Sequence, residues 1–189
     1  MRRAKFAALT LREGDAVMGV LPLDAAADVL IISRSGMSVR FHADGVPTQG
    51  RTAGGVKGMT LEPGDAVLWC GQPQAADQEF LMTERGFAKR VLYMDFEPQA
   101  RGGKGVKAFY FNKSGSNGTC VAGAALLAGD GAGAQVRVEQ RMSPPTVLMA
   151  QEAPLQGKQD KGLPLVMALM DDVVTAVEPA AESTAETAE

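Results

Sequence analysis

The chain has 189 residues, room for one or two domains with a real core. Its formal charge is −3 and its pI about 5.3, which argues mildly against a nucleic-acid binder on global charge alone. No run of about 20 apolar residues occurs, so no helical membrane span is expected.

The start, MRRAKFAALTLREGD, is basic, but its apolar stretch breaks at Arg12, too early for a signal peptide. DVLIIS from Asp28 and MSVRF from Met37 are strand-sized, β-branched or apolar, and bounded by glycine and aspartate. HADGVPTQGRTAGG follows, too long and glycine-rich for a tight hairpin, so it must connect more distant strands. VKGMTL (56–61) and DAVLWC (65–70) are predicted strands, with Trp69 at an apolar end suited to the core. His42 is the single histidine and is expected at the surface, so zinc is unsupported. Cys70 and Cys120 lack CxxC spacing and suit a reducing cytoplasm, with free thiols favoured over a disulfide.

Next comes ERGFAKRVLYMDFEPQARGGKGVKA, in which Tyr93 lies in a strand pattern. In the following FYF, strand alternation would turn Phe109 and Phe111 to the same side, favouring core packing over a base-stacking platform. Tyr110 likewise reads as packing. VAGAALLAGDGAG is the best candidate for a helical turn, weakened by its glycines. EPAAESTAETAE holds four glutamates and no base, so residues 178–189 are expected to be a disordered acidic tail. Without it the acids fall from 22 to 18 against 19 bases, leaving a nearly neutral body. Such a tail would compete with any other polyanion for basic side chains of the body.

The chain repeats itself. Sliding RSGMSVRFHADGVPTQGRTAGGVKG by 50 positions onto ERGFAKRVLYMDFEPQARGGKGVKA aligns seven identities without a gap. They run Gly36/Gly86, Arg40/Arg90, Gln49/Gln99, Arg51/Arg101, Gly55/Gly105, Val56/Val106 and Lys57/Lys107. LREGDAV at Leu11 matches LEPGDAV at Leu61 with the same shift. A weaker copy runs from Ala153, where Gln156, Lys158 and Gly162 lie 57 residues beyond Gln99, Arg101 and Gly105. Short strands in repeats of this length predict an all-β array of sheets arranged radially, as in propellers. The expected division is a domain over 1–177, with repeats near 5–67, 68–124 and 125–177.

Each repeated loop ends in an arginine, glycines and a lysine. Glycines let a backbone approach a phosphate and free its N–H groups, while arginine offers a planar fork and lysine a point charge. The same residues also fit plain turns with solvated bases, and spacing alone leaves both readings open. GGKG lacks the GxxxxGK[ST] spacing of a nucleotide P-loop. The candidate phosphate contacts are Arg40, Arg51, Lys57, Lys89, Arg90, Arg101, Gly102, Gly103, Lys104 and Lys107.

GRTAGGVKGMTLEPGDAV and ERGFAKRVLYMDFEPQARGGKGVK resemble two successive repeats of the C-terminal domain of bacterial type IIA topoisomerase A subunits, most closely the gyrase type. The resemblance spans roughly residues 5–177, is specific in the two middle motifs and weak in the last. It implies a β-pinwheel of four-stranded antiparallel blades that exchange strands, about three repeats plus a partial one. It further implies a non-catalytic module that binds and bends duplex DNA on a basic rim, in a cytoplasmic, nucleoid-associated enzyme. The partners implied are duplex DNA, the remaining A-subunit domains and the ATPase B subunit. ATP and Mg would serve other domains of that enzyme, with no cofactor in this chain, and its cleavage tyrosine would lie elsewhere.

Several residues depart from the family pattern. Its main wrapping box, Gln-Arg-Arg-Gly-Gly-Lys-Gly, belongs to a first repeat expected before Met1. The stretch at Gln99 has Ala100 at the second position, one base fewer. In the last repeat Lys158 stands where arginine is expected and Ser143 where glycine is expected. Topoisomerase IV remains an alternative, as does a protein-binding scaffold whose rim bases are neutralised by acids such as Asp44, Asp95 and Glu97.

Overall fold

The computed structural model describes residues 7–180. Three β-hairpins carry the architecture: β1 (Asp28–Ser33) with β2 (Met37–His42), β4 (Gln78–Thr83) with β5 (Phe87–Leu92), and β8 (Gln135–Gln140) with β9 (Thr146–Met149). In the first two, the turn holds a glycine at positive φ, Gly36 at 72° and Gly86 at 76°. A single turn of 3-10 helix follows each hairpin, at Ala43–Gly45, Tyr93–Asp95 and Ala150–Glu152.

Every hairpin gains further strands from later in the chain. β3 (Val67–Gly71), β7 (Val121–Leu127) and β11 (Val174–Pro179) pair antiparallel with β1, β4 and β8 in turn. On the other edge, β6 (Val106–Lys107) pairs with β2, and β10 (Leu163–Pro164) with β5. The sheet orders are therefore β3-β1-β2-β6, β10-β5-β4-β7 and β11-β8-β9. A loop that leaves the second hairpin closes the first sheet, and a loop that leaves the third closes the second. This is the expected all-β array of antiparallel, strand-exchanging blades.

Strand alternation gives the first two hairpins two apolar faces and the third one, and the facing ones pack between blades. Leu30 and Ile32 of the first blade meet Leu81 and Val91 of the second, with Phe96 and Phe109 filling the layer. Phe80 and Met82 of the second meet Val136 and Val138 of the third. The other face of the first blade carries Val29, Ile31, Val39 and Phe41 beside Met59.

The structure corrects several local expectations. VAGAALL is strand β7, not a helical turn. Its Gly123 is there for close approach: a Cβ would lie 2.4 Å from Val177 of β11. VKGMTL is not a strand, although Val56–Lys57 stands where Val106–Lys107 pairs in the next repeat. No hairpin lies beside it among the described residues, and a strand exists only by its partner. Tyr93 is buried but in a 3-10 turn, and Phe109 and Phe111 stack at 5.5 Å outside any strand. Trp69 is half-buried against the inter-blade core. The acidic tail was expected from Glu178, yet Glu178 and Pro179 pair with Arg137 and Val136 in β11, satisfying backbone groups of the sheet edge. Its remainder, 181–189, lies outside the described residues.

Candidate nucleic-acid interface

The bases of β2 and β5 turn inward. Arg40 on β2 donates from Nε to Asp28 at 2.7 Å and from a terminal nitrogen to the Phe96 carbonyl at 2.9 Å, with its guanidinium 4.1 Å above the Tyr93 ring. Its equivalent on β5, Arg90, donates to the Ala153 carbonyl at 2.8 Å, to Gln78 at 2.8 Å and to the Asp130 carbonyl at 3.1 Å. Both arginines hold the chain entering from the next repeat. Their backbones do the same: the Arg40 and Arg90 carbonyls accept from Gln99 and Gln156.

Lys89 is fully buried, its ammonium donating to the carbonyls of Gly157, Lys158 and Asp160 at 2.8–3.0 Å. Burial lowers its pKa to about 7, with the Asp160 carboxylate acting in the opposite direction. Arg40, Lys89 and Arg90 thus tie blades together. A phosphate would have to displace internal hydrogen bonds to reach them, which corrects the expectation that they face DNA.

The loop-borne bases are arranged differently. The 96–105 loop docks on the end of its own upstream copy. Arg101 donates to the Lys57 carbonyl at 2.7 Å and to the Gly45 carbonyl at 3.3 Å. The Gly102 N–H donates to Gly58 at 2.8 Å, so it is not open to an anion. Thr60 donates its N–H to the Gly103 carbonyl at 2.8 Å and its hydroxyl to the Gly102 carbonyl at 2.7 Å. Gly102 sits at φ 87°, where a Cβ would be 3.7 Å from the Lys57 side chain. The docking brings Lys57, Arg101 and Lys104 to one place on the rim. Lys57, Lys104 and Lys107 are exposed, as is Arg51 on the first loop.

Acids temper this patch. Lys104 pairs with Glu62 at 2.7 Å, and that hydrogen bond raises its pKa. Lys158 pairs with Glu97, whose pKa the lysine's hydrogen bond lowers. Asp44 pairs with His42 instead, at 2.8 Å, and its hydrogen bond raises the histidine pKa. These pairs are exposed on at least one side and so contribute little to stability, but they do reduce local positive potential.

One base escaped the sequence reading. Lys161 is exposed and lies 5.6 Å from the Tyr110 ring, which Lys107 flanks at 5.0 Å. Lys161 stands 57 residues beyond Lys104, so the shift that matched Lys158 and Gly162 already pointed to it. No group of three or more His, Cys, Asp or Glu able to hold a metal occurs among the described residues.

The rim with exchanged strands has known counterparts. A model of the DNA gyrase C-terminal domain, a β-propeller, matches residues 27–71 and 80–116, the first two hairpins with their loops. These two repeats are similar to that domain. The DNA gyrase A protein of Pseudomonas aeruginosa is 29% identical over 177 residues, covering 94% of this chain and 18% of that protein. Its Kosmotoga olearia counterpart is 38% identical over 112 residues, covering 58% of this chain and 14% of its own length. The chain therefore spans less than a fifth of these curated relatives.

Two solved structures share the fold. The C-terminal domain of DNA topoisomerase IV aligns with a TM-score of 0.82 and 21% identity, over 91% of this chain and 52% of that one. A DNA gyrase A C-terminal domain aligns with a TM-score of 0.76 and 22% identity, over 91% and 57%. The chain thus matches about half of each of these domains.

Proposed function

We propose that this chain is a non-catalytic DNA-binding and DNA-bending module of the gyrase A type, working in the bacterial cytoplasm on nucleoid DNA. Duplex DNA passes over the rim and is held through phosphates by Lys57, Lys104, Lys107 and Lys161, with Arg51 and Arg101 beside them. Its enzyme partners are the remaining gyrase A domains and the ATPase-bearing gyrase B protein, and cleavage chemistry, ATP and Mg belong to them. The observation that carries this reading is the docking of one repeated loop on the other within repeats of the gyrase family. It gathers Lys57, Arg101 and Lys104 at one place on the rim. A contact repeated at the pitch of the blades suits a backbone that presents phosphates regularly, and such contacts position DNA without reading its sequence.

A duplex labelled at both ends tests this. Adding the chain at low salt is expected to bring the ends together, with no preference among sequences of equal flexibility. A bound but straight duplex would reduce the role to binding. No binding at low salt would favour the second reading, a protein-binding scaffold, for which the Lys104–Glu62 and Lys158–Glu97 pairs speak.

A further inference from the structure

Two places on the rim are built from the same three positions of the repeat. One holds Lys57, Thr60 and Lys104, the other Lys107, Tyr110 and Lys161. The first two residues of each are related by the 50-residue shift, the third by the 57-residue shift. The backbones match as well. The Thr60 N–H donates to the Gly103 carbonyl at 2.8 Å, and the Tyr110 N–H donates at 3.3 Å to Asp160, the residue 57 beyond Gly103. In each place one lysine shares a segment with the middle residue, and the other arrives on the loop of the next repeat.

Their side chains have diverged. At the first place the Thr60 hydroxyl is taken up by the Gly102 carbonyl at 2.7 Å, and Lys104 turns to Glu62 at 2.7 Å. That pair orders the lysine by offsetting its charge. At the second place Asn112 stands where Glu62 stands in the first. The ammonium of Lys107 lies 5.0 Å over the Tyr110 ring and that of Lys161 lies 5.6 Å over it. Among the described residues no carboxylate comes within 4.0 Å of either ammonium. An aromatic face attracts a cation through its quadrupole and leaves the charge in place. Lys107 and Lys161 are therefore ordered without being neutralised.

The ring is fastened from beneath. Asn117, fully buried, donates through Nδ2 to the Tyr110 carbonyl at 2.9 Å and to the Lys161 carbonyl at 3.1 Å. Its Oδ1 accepts from the Asn112 N–H at 2.7 Å. One amide thus ties the backbone of the ring to the backbone of the lysine from the next repeat. Buried Lys89 pins the same loop through the carbonyls of Gly157, Lys158 and Asp160. A buried network with its donors and acceptor satisfied specifies one arrangement.

Resting on the reading of the rim as a DNA path, we infer that Tyr110 is a positioning residue for DNA. Its ring holds Lys107 and Lys161 as a joint seat for one backbone phosphate, where the outer strand of the first sheet meets the loop leading to that of the second. The two ammoniums repel each other, the ring offsets that repulsion, and a phosphate completes the balance. The ring matters and the hydroxyl does not. At the first place a phosphate must displace Glu62 before Lys104 can serve it, so the second place is the stronger contact.

Nuclear magnetic resonance of the full chain without DNA tests the holding. The ε-methylene protons of Lys107 and Lys161 should lie upfield of those of Lys57, shifted by the ring. Tyr110→Phe should keep the shift and Tyr110→Leu abolish it. A salt titration of duplex binding tests the use. Lys107→Ala, Lys161→Ala and the double variant should each flatten the slope of log affinity against log salt by about 0.9, the share of one phosphate. Lysines that act independently would lose twice as much in the double variant as in either single one. Tyr110→Leu keeps both charges, yet should weaken duplex binding at low salt about threefold or more, the factor that an exposed cation–π contact is worth. Tyr110→Phe should bind as the wild type does. The lysine variants alter exposed side chains only, so their part of the test stands even if Tyr110→Leu does not fold. Unshifted lysine protons, additive lysine losses, or wild-type affinity in a folded Tyr110→Leu variant would each overturn the inference. Any of these in a chain that binds duplex leaves the DNA reading standing. No duplex binding by the wild type at low salt would sink that reading and this inference together.

Discussion

Arg90 and Lys104 belong to one repeat and carry the same charge, yet they do different work. Arg90 is surrounded by carbonyls of the next repeat and holds the exchanged segment. Lys104 projects to solvent and, among the described residues, pairs only with Glu62. The difference teaches that a base's role here is set by the backbone around it. Carbonyls left over where chains cross between blades recruit Arg40, Lys89, Arg90 and the loop residue Arg101, and the exposed lysines remain for the rim. Counting lysines and arginines per repeat overstates the rim.

Substitutions can break the comparison. Arg90→Ala removes three hydrogen bonds from a charged donor and leaves two carbonyls and Gln78 without it. Urea denaturation should show a loss of about 3 kcal/mol. Lys104→Ala should stay within about 0.5 kcal/mol of wild type, because its pair is exposed. Equal losses would erase the distinction.

Glycine sharpens it next. Gly55→Ala meets the left-handed backbone penalty, about 1–2 kcal/mol, with no atom of the described residues within 4 Å of the added Cβ. Gly86→Ala adds a clash with the Val166 carbonyl and should cost about 2 kcal/mol more. The same denaturation series measures both, and similar losses would mean that the exchanged segment yields without strain.

A smaller effect comes from Glu79, buried with neither carboxyl oxygen hydrogen-bonded, at the position that is Val29 in the first blade and Val136 in the third. Burial raises its pKa well above 4.5, with the Asp77 charge adding to the rise. The folded chain therefore keeps a proton that the unfolded chain releases, and stability falls as pH rises above about 4.5. Glu79→Val should stabilise by about 1–2 kcal/mol at neutral pH and remove that part of the slope. A variant less stable than wild type at pH 7 would show that the carboxylate finds a partner.

The blades were legible in the sequence because the 50-residue shift is ungapped and its strands begin and end at glycine or aspartate. Asp28–Ser33 emerged as written and Met37–Phe41 fell one residue short of the strand end. Strand exchange leaves a fainter trace. Val56–Lys57 and Val106–Lys107 read alike, and only the presence of a neighbouring hairpin decides which becomes a strand. VAGAALL looked helical because its small residues serve a close strand contact at Gly123 rather than a helix face. The site was half legible. Loop bases announce themselves through glycine, but the carbonyls that capture Arg40, Lys89 and Arg90 come from far along the chain and have no signature of their own.

On the proposed function, the exposed rim lysines Lys57, Lys104 and Lys107, not the inward-turned Arg40, Lys89 and Arg90, hold the DNA. A salt titration of duplex binding measures it most directly, comparing wild type with Lys57→Ala/Lys104→Ala/Lys107→Ala after denaturation has shown equal stability. Log affinity falls against log salt by about 0.9 per neutralised phosphate, so the triple variant should flatten the slope by up to about 2.7. An unchanged slope in a stably folded triple variant that still binds DNA would place these lysines off the DNA path and contradict the account.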